Sequence, residues 1–111
     1  MITVTNHEAI QDPGSITALF TGADHQADVS FFWVDSPPGE GQEFHWHPYA
    51  ETWVVLHGEA LVDTQDDQVR AYSGDIVTVS PRTIHRYLAR GEDNLRMICI
   101  HPSPKVVEEF I

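Results

Sequence analysis

Short segments of β-branched and aromatic residues cover most of the chain and are separated by glycine, proline and aspartate. The segments are four to seven residues long, which is typical of strands and short for helices. We predict strands at 16–21, 29–35, 52–57, 60–64, 68–72, 76–79, 86–89 and 95–100. Residues 65–67 separate two of them and predict a hairpin. Many short strands with turn residues between them indicate a β-sandwich or β-barrel.

The C-terminal residues are the one stretch with a helical pattern. Ser103 can cap a helix, Pro104 suits its first position, and the apolar residues of 104–110 fall on one side. We therefore predict a short helix over 104–110. It would cover an end of the barrel or contact another subunit, and the sequence favours neither.

Alternation along the strands predicts which side chains share a face. Trp53 and Val55 should lie on the face of Glu51, and Tyr87 on the face of His85. On the last predicted strand, one face should carry Leu95, Met97 and Cys99. Val54 and Leu56 then form an apolar outer face, which predicts contact with another sheet or a second copy of the chain.

Length and charge narrow the possible classes of protein and of binding partner. The 111 residues suffice for one domain, 1–111, and 41% of them are hydrophobic, as in ordinary folded proteins. Six basic and 17 acidic residues give a net charge of −11, which argues against nucleic acid and anionic membranes as partners. No export signal or long apolar run is evident, and the single Cys99 fits a reducing compartment. We expect a cytoplasmic protein.

A possible metal site lies between Gly39 and Gly58, where His45, His47 and Glu51 fall within seven residues. Imidazole nitrogens and carboxylate oxygens are common ligands of divalent transition metals. In a strand, His45 and His47 project to the same side and can bind one ion together. Without an ion, such a cluster facing an apolar interior would be costly.

This stretch resembles the first motif of the cupin superfamily. That motif is a glycine, five residues, His-x-His, three or four residues, Glu, six residues and a glycine, and residues 39–58 match each fixed position. Residues 74–89 resemble the second motif less closely, with His85 at its ligand position. They depart from it at Ser80, Arg82 and Ala89, where proline, glycine and asparagine are usual.

The resemblance implies an all-β jelly-roll barrel, also called a double-stranded β-helix, with one divalent ion inside its mouth. It implies that the ion is held by His45, His47, Glu51 and His85, and homodimers are common in the family. These ligands suit iron, manganese, nickel, cobalt and zinc alike. The other histidines have no partner at ligand spacing and are predicted not to bind metal: His7, His25, His57 and His101.

Candidates for substrate contact and catalysis are fewer. Trp53 and Met97 are predicted to line the pocket or simply to pack in the core. Arg82 could pair with a substrate carboxylate or belong to the ordinary surface charge. Beyond the ligands, Glu43 and Tyr87 are the candidates for general acid–base catalysis.

Two functions follow from this pattern. The first is a small metalloenzyme that acts on a small organic molecule, since cupins of this kind include dioxygenases, decarboxylases, isomerases and lyases. The second is a module that uses the ion to bind or sense a ligand without turning it over. The fold does not choose between them.

Overall fold

Two facing antiparallel sheets form the protein, as seen in a computed structural model that describes residues 1–15 and 17–111. The strands are β1 (Ala18–Phe20), β2 (Ser30–Ser36), β3 (His45–Trp46), β4 (Glu51–His57), β5 (Glu59–Thr64), β6 (Gln68–Tyr72), β7 (Ile76–Val79), β8 (His85–Arg90), β9 (Leu95–His101) and β10 (Glu109–Phe110). One sheet has the order β1-β2-β9-β4-β7 and the other β10-β3-β8-β5-β6. Short 3₁₀ segments span His7–Ile10 and Gly22–His25.

This architecture confirms the predicted all-β jelly roll. Each predicted strand overlaps an observed one, and 68–72 and 76–79 agree at both ends. The predicted strand 16–21 is observed as Ala18–Phe20, with residue 16 outside the described residues. β5 and β6 pair across residues 65–67 as the predicted hairpin.

The core lies between the sheets and follows the predicted alternation. The inward residues of β9 are buried at every second position, and Trp53 and Val55 are buried on the face of Glu51. Tyr87 is likewise buried with His85. The outward Val54 and Leu56 are partly or largely exposed. The strand period of two therefore selects the side chains that surround the barrel interior.

The predicted helix over 104–110 is wrong. Glu109 and Phe110 instead pair with Trp46 and His45 as β10, at the edge of the second sheet. A seven-residue helix gains few internal hydrogen bonds for the cost of its nucleation. The extended tail, in contrast, places its backbone groups against β3 and the barrel interior, where they find partners.

Backbone conformation explains two turn positions. Gly58 joins β4 to β5 with a φ of 85°, and a Cβ there would lie 2.7 Å from the Asn94 carbonyl oxygen. Arg82 has a φ of 63°, in the left-handed region that glycine occupies at low cost. Its N–H donates a 2.8 Å hydrogen bond to the His47 carbonyl. The arginine therefore keeps the loop conformation for which glycine is the usual residue.

Candidate metal centre

The three histidines predicted as ligands are held by the same kind of contact. Each donates its Nδ1–H to a backbone carbonyl: His45 to Glu43 at 2.8 Å, His47 to Val107 at 2.9 Å and His85 to Thr83 at 2.7 Å. A carbonyl oxygen can only accept, so the proton of each neutral ring lies on Nδ1. The lone pair is then on Nε2, the atom available to a metal ion.

The strands bring these rings to one carboxylate. His45 on β3 pairs with His85 at the start of β8, and Glu51 begins β4 in the facing sheet. One potential ligand atom from each of His45, His47, Glu51 and His85 lies within 4.8 Å of those of the other three, and all four residues are buried. The structure thus assembles the predicted group between the two sheets.

The spacing inside the group fits a metal ion. Glu51 Oε1 lies 3.0 Å from His85 Nε2 and 3.2 Å from His47 Nε2. Adjacent ligand atoms at about 2.1 Å from one ion are roughly 3.0 Å apart when they subtend a right angle. The His47 Nε2 atom is buried and has no aligned hydrogen-bond partner in the part of the chain that is described. A buried lone pair of this kind is suited to a cation.

The electrostatics of the group also favour a cation. Burial by itself would raise the pKa of Glu51, but the contact with His101, 3.0 Å from Oε2, opposes this, and that pKa lies far below its ordinary value. Burial and the neighbouring His85 and His47 rings lower the pKa of His45, although its bond to the Glu43 carbonyl opposes this. For His47, burial lowers the pKa, but the contacts with Glu51 and the Val107 carbonyl outweigh it and raise that pKa. The site therefore contains an ionised carboxylate beside an imidazole that resists protonation.

His101 is the residue of this centre that the sequence analysis missed. It is only 1% exposed, and its Nε2 lies 3.0 Å from Glu51 Oε2, although the two atoms are not aligned as a hydrogen bond. Its Nδ1 is 2.7 Å from the hydroxyl of Tyr49, which accepts a 3.0 Å hydrogen bond from the Val107 N–H. The alternation of Leu95, Met97 and Cys99, continued by one step, would have placed His101 in the interior.

The C-terminal tail forms one side of the centre. Glu108 Oε2 is 4.0 Å from His45 Nε2, and the Glu108 side chain is 26% exposed. The Phe110 ring lies 5.5 Å from the His45 ring, centroid to centroid. The extended tail thus brings a partly exposed carboxylate next to a predicted ligand.

The remaining candidates lie in different surroundings. Glu43 and Arg82 are exposed, and each contributes a backbone group next to a ligand. Tyr87 is buried, and burial raises its pKa to about 12, helped by Cys99. Trp53 is fully buried, 5.9 Å from the His85 ring, with an indole N–H that has no partner among the described residues. Met97 is fully buried in the core.

A cavity of about 400 Å³ lies at the edges formed by β6 and β7, and none of the four predicted ligands lines it. Two of its wall residues are the direct cross-strand partners of predicted ligands: Val79 faces Glu51, and Thr64 faces His85. Valines and threonines form most of the wall, with Asp66 and Asp67 at one end and no basic residue. The cavity is thus a groove on the edge of the barrel, next to the strands that carry Glu51 and His85.

Comparison with known proteins places the chain in a family. A model of the cupin domain matches residues 32–101, and no curated protein matches the chain. Among solved structures, an uncharacterized conserved protein with a double-stranded β-helix domain from Klebsiella pneumoniae is 17% identical. It superposes with a TM-score of 0.78, covering 99% of this chain and 97% of that one.

Two further structures share the fold. A cupin-like protein from Thermotoga maritima is 20% identical, with a TM-score of 0.73 over 86% of this chain and 75% of that one. A variant of Bacillus subtilis oxalate decarboxylase is 17% identical, with a TM-score of 0.74 over 86% of this chain and 27% of that one. These identities show the fold alone. Because the cupin model matches more than half of the sequence, the chain belongs to the cupin domain family.

Proposed function

We propose that the protein is a metal-dependent enzyme acting on a small organic molecule, with one divalent ion held by His45, His47, Glu51 and His85. The observation that carries the proposal is the shared Nδ1–carbonyl contact of the three histidines, which leaves their Nε2 atoms for an ion beside Glu51. When bound, such an ion supplies Lewis acidity, and iron or manganese adds redox chemistry. Bacillus subtilis oxalate decarboxylase contains Mn(II) centres, so manganese belongs in the first tests.

Glu108 is the residue to which we assign proton transfer. Its carboxylate is partly exposed and lies 4.0 Å from Nε2 of the predicted ligand His45. Glu43, considered from the sequence, is exposed and contributes its backbone carbonyl instead. Burial raises the pKa of Tyr87 to about 12, which makes it a poor general base near neutral pH.

The cavity supports a substrate without negative charge. Its walls are mainly aliphatic, with threonine hydroxyls for hydrogen bonds, and its only charged residues are acidic. A carboxylate substrate would lose hydration there without gaining a cationic partner. Trp53 and Met97 are buried in the core, and Arg82 does not line the cavity.

A homodimer is part of this proposal. Val54 lies opposite Ile98, and Ile98 opposite Trp33, so three apolar residues form a row across β4, β9 and β2 on the outer face. Leu56 is 53% exposed next to this row. Burial of this face against a second copy would remove it from water.

We also infer a cytoplasmic location from the single, buried Cys99. No helix among the described residues is long and apolar enough to cross a membrane.

Metal analysis of protein purified without added metal tests the proposal. We expect one divalent ion per chain and its loss in His85→Asn, whereas the exposed His57→Asn should retain it. Protein loaded separately with iron, manganese and zinc is then assayed with neutral and anionic small molecules, with and without oxygen. Product formation that depends on the ion supports the enzyme. Metal-dependent ligand binding without product, for every ion, would instead favour the binding module.

A further inference from the structure

We infer that His101 is a positioning residue that holds Glu51 in the orientation needed for metal binding; this inference rests on the proposed metal site. The two oxygens of the carboxylate have different neighbours. Oε1 lies 3.2 Å from His47 Nε2 and 3.0 Å from His85 Nε2, whereas Oε2 lies 3.0 Å from His101 Nε2. Oε1 thus faces the predicted ligands, and Oε2 faces a histidine outside that group.

The hydrogen bonds behind His101 determine which of its nitrogens carries the proton. The Val107 N–H can only donate, and it donates to the Tyr49 hydroxyl. The hydroxyl's own proton then has His101 Nδ1 as its acceptor, at 2.7 Å. Nδ1 accepts, so the proton of the neutral ring lies on Nε2, which is 3.0 Å from Glu51 Oε2 in a close contact that is not aligned as a hydrogen bond in this structure. This is the reverse of the tautomer of the three predicted ligands.

A buried carboxylate needs such a partner. Glu51 is 2% exposed, and without His101 its Oε2 would have no polar partner among its described contacts. An ionised oxygen left unpaired in the interior is costly, so the carboxylate would rotate or draw in another donor. Either change moves Oε1 away from the position that it shares with His47 and His85.

The C-terminal tail closes a network of contacts that links His47, Glu51, His101 and Tyr49. The Val107 carbonyl accepts from His47 Nδ1, and the Val107 N–H donates to Tyr49. One residue of the tail therefore fixes a predicted ligand directly and Glu51 indirectly, through Tyr49 and His101. Contacts of this type behind metal ligands are worth about 10- to 100-fold in metal affinity.

A fifth ligand would be a different role for the same residue. The ligand atoms of the four predicted residues lie within 4.8 Å of one another in a group that does not include His101. Its Nε2 also carries a proton in the tautomer derived above, and a protonated nitrogen cannot bind an ion. The positioning role therefore predicts an unchanged set of metal ligands after His101 is replaced.

Four variants test the inference. His101→Leu removes the N–H that faces Glu51, His101→Gln keeps an N–H donor, and Tyr49→Phe removes only the partner of Nδ1. His57→Leu is the matched control, because His57 is an exposed histidine at the end of β4 opposite to Glu51. Folding of each variant is checked by circular dichroism and by thermal unfolding without metal.

Imidazole ¹⁵N NMR of the metal-free parent gives the first readout, and it does not depend on metal binding. We expect His101 in the Nε2–H form and the loss of this fixed tautomer in Tyr49→Phe. An Nδ1–H form in the parent would overturn the inference while leaving the proposed function intact.

The second readout is the binding of Co(II), measured by competition with a chromophoric chelator. His101→Leu should weaken it about 10- to 100-fold, with smaller losses in His101→Gln and Tyr49→Phe and none in His57→Leu. If His101→Leu does not fold, the His101→Gln and Tyr49→Phe variants carry the test. The Co(II) spectrum should keep the same number of histidine ligands. Unchanged affinity in all three, or the loss of one histidine ligand, would overturn the positioning role; a parent that binds no divalent ion would overturn the proposed function instead.

Discussion

The carbonyl oxygen of Val107 accepts a 2.9 Å hydrogen bond from His47 Nδ1, although 60 positions separate the two residues in the chain. The tail thereby fixes the ring orientation of a predicted ligand. Removal of residues 107–111 should lower the affinity for a divalent ion by about tenfold or more, because His47 can then rotate. Isothermal titration of metal-free protein measures this. Val107→Ala keeps both backbone groups and should bind as the parent does; equal losses in both variants would contradict the backbone role.

Replacement of Glu51 by glutamine tests the charge at the centre. The amide would keep the shape of the side chain but lack the negative charge that attracts the ion. We therefore expect the affinity for the ion to fall by more than about 100-fold, which exceeds the loss expected from removing a residue that only contacts a ligand. Competition with a metal chelator provides the measurement. The exposed Glu43→Gln is the matched control, since Glu43 acts through its carbonyl. Full activity of Glu51→Gln in excess chelator would rule out a metal-dependent reaction.

Leu56 tests the proposed dimer. A charge at this exposed apolar position would be buried in the interface at a cost of several kcal/mol, so Leu56→Asp should be a monomer at micromolar concentration. Sedimentation velocity of the parent and the variant measures this. Val69→Asp places the same charge on an exposed position of the other sheet and should leave the dimer intact. A monomeric parent would contradict the proposal.

Two substitutions of Arg82 distinguish backbone strain from substrate binding. At a φ of 63°, a residue other than glycine destabilises the folded protein by about 1–2 kcal/mol relative to glycine. Part of this advantage of glycine is cancelled because glycine has more conformational freedom in the unfolded chain. We expect Arg82→Gly to exceed Arg82→Ala in free energy of unfolding by about 1 kcal/mol, measured in urea. Both variants lack the guanidinium, so neither should change the KM. A raised KM in both would assign the side chain to substrate.

Cys99 predicts how stability depends on pH. Burial, together with Glu51, raises the pKa of its thiol well above the ordinary value, whereas the unfolded thiol titrates near about 8.5. The folded protein thus retains a proton that the unfolded chain loses. This contribution to stability is complete below about pH 8.5 and declines above it, by up to about 1.4 kcal/mol per pH unit.

Urea unfolding of metal-free protein between about pH 8 and 10 measures this slope. Cys99→Ala should be less stable overall because of the cavity that it creates, but with a shallower decline across this range. An identical decline in parent and variant would show that the Cys99 thiol is not its cause.

The sequence determined the local features of this protein. Strand alternation predicted that Trp53 and Val55 face inward with Glu51, and the motif spacing predicted the four residues that the structure brings together. The alternation is confirmed because a strand period of two is a property of a few consecutive residues, whereas metal binding by the four residues stays a prediction.

Only the tertiary structure decided the contacts between distant segments. His101 has no ligand-like neighbour in the sequence, yet it reaches Glu51 because β9 and β4 pair in one sheet. The tail has a helical pattern over 104–110, yet it extends because β3 offers it backbone partners and because His47 and Tyr49 bond to Val107. Local patterns record the preferences of each segment, whereas partners far along the chain exist only once the sheets have formed, and their hydrogen bonds then outweigh a weak helical preference.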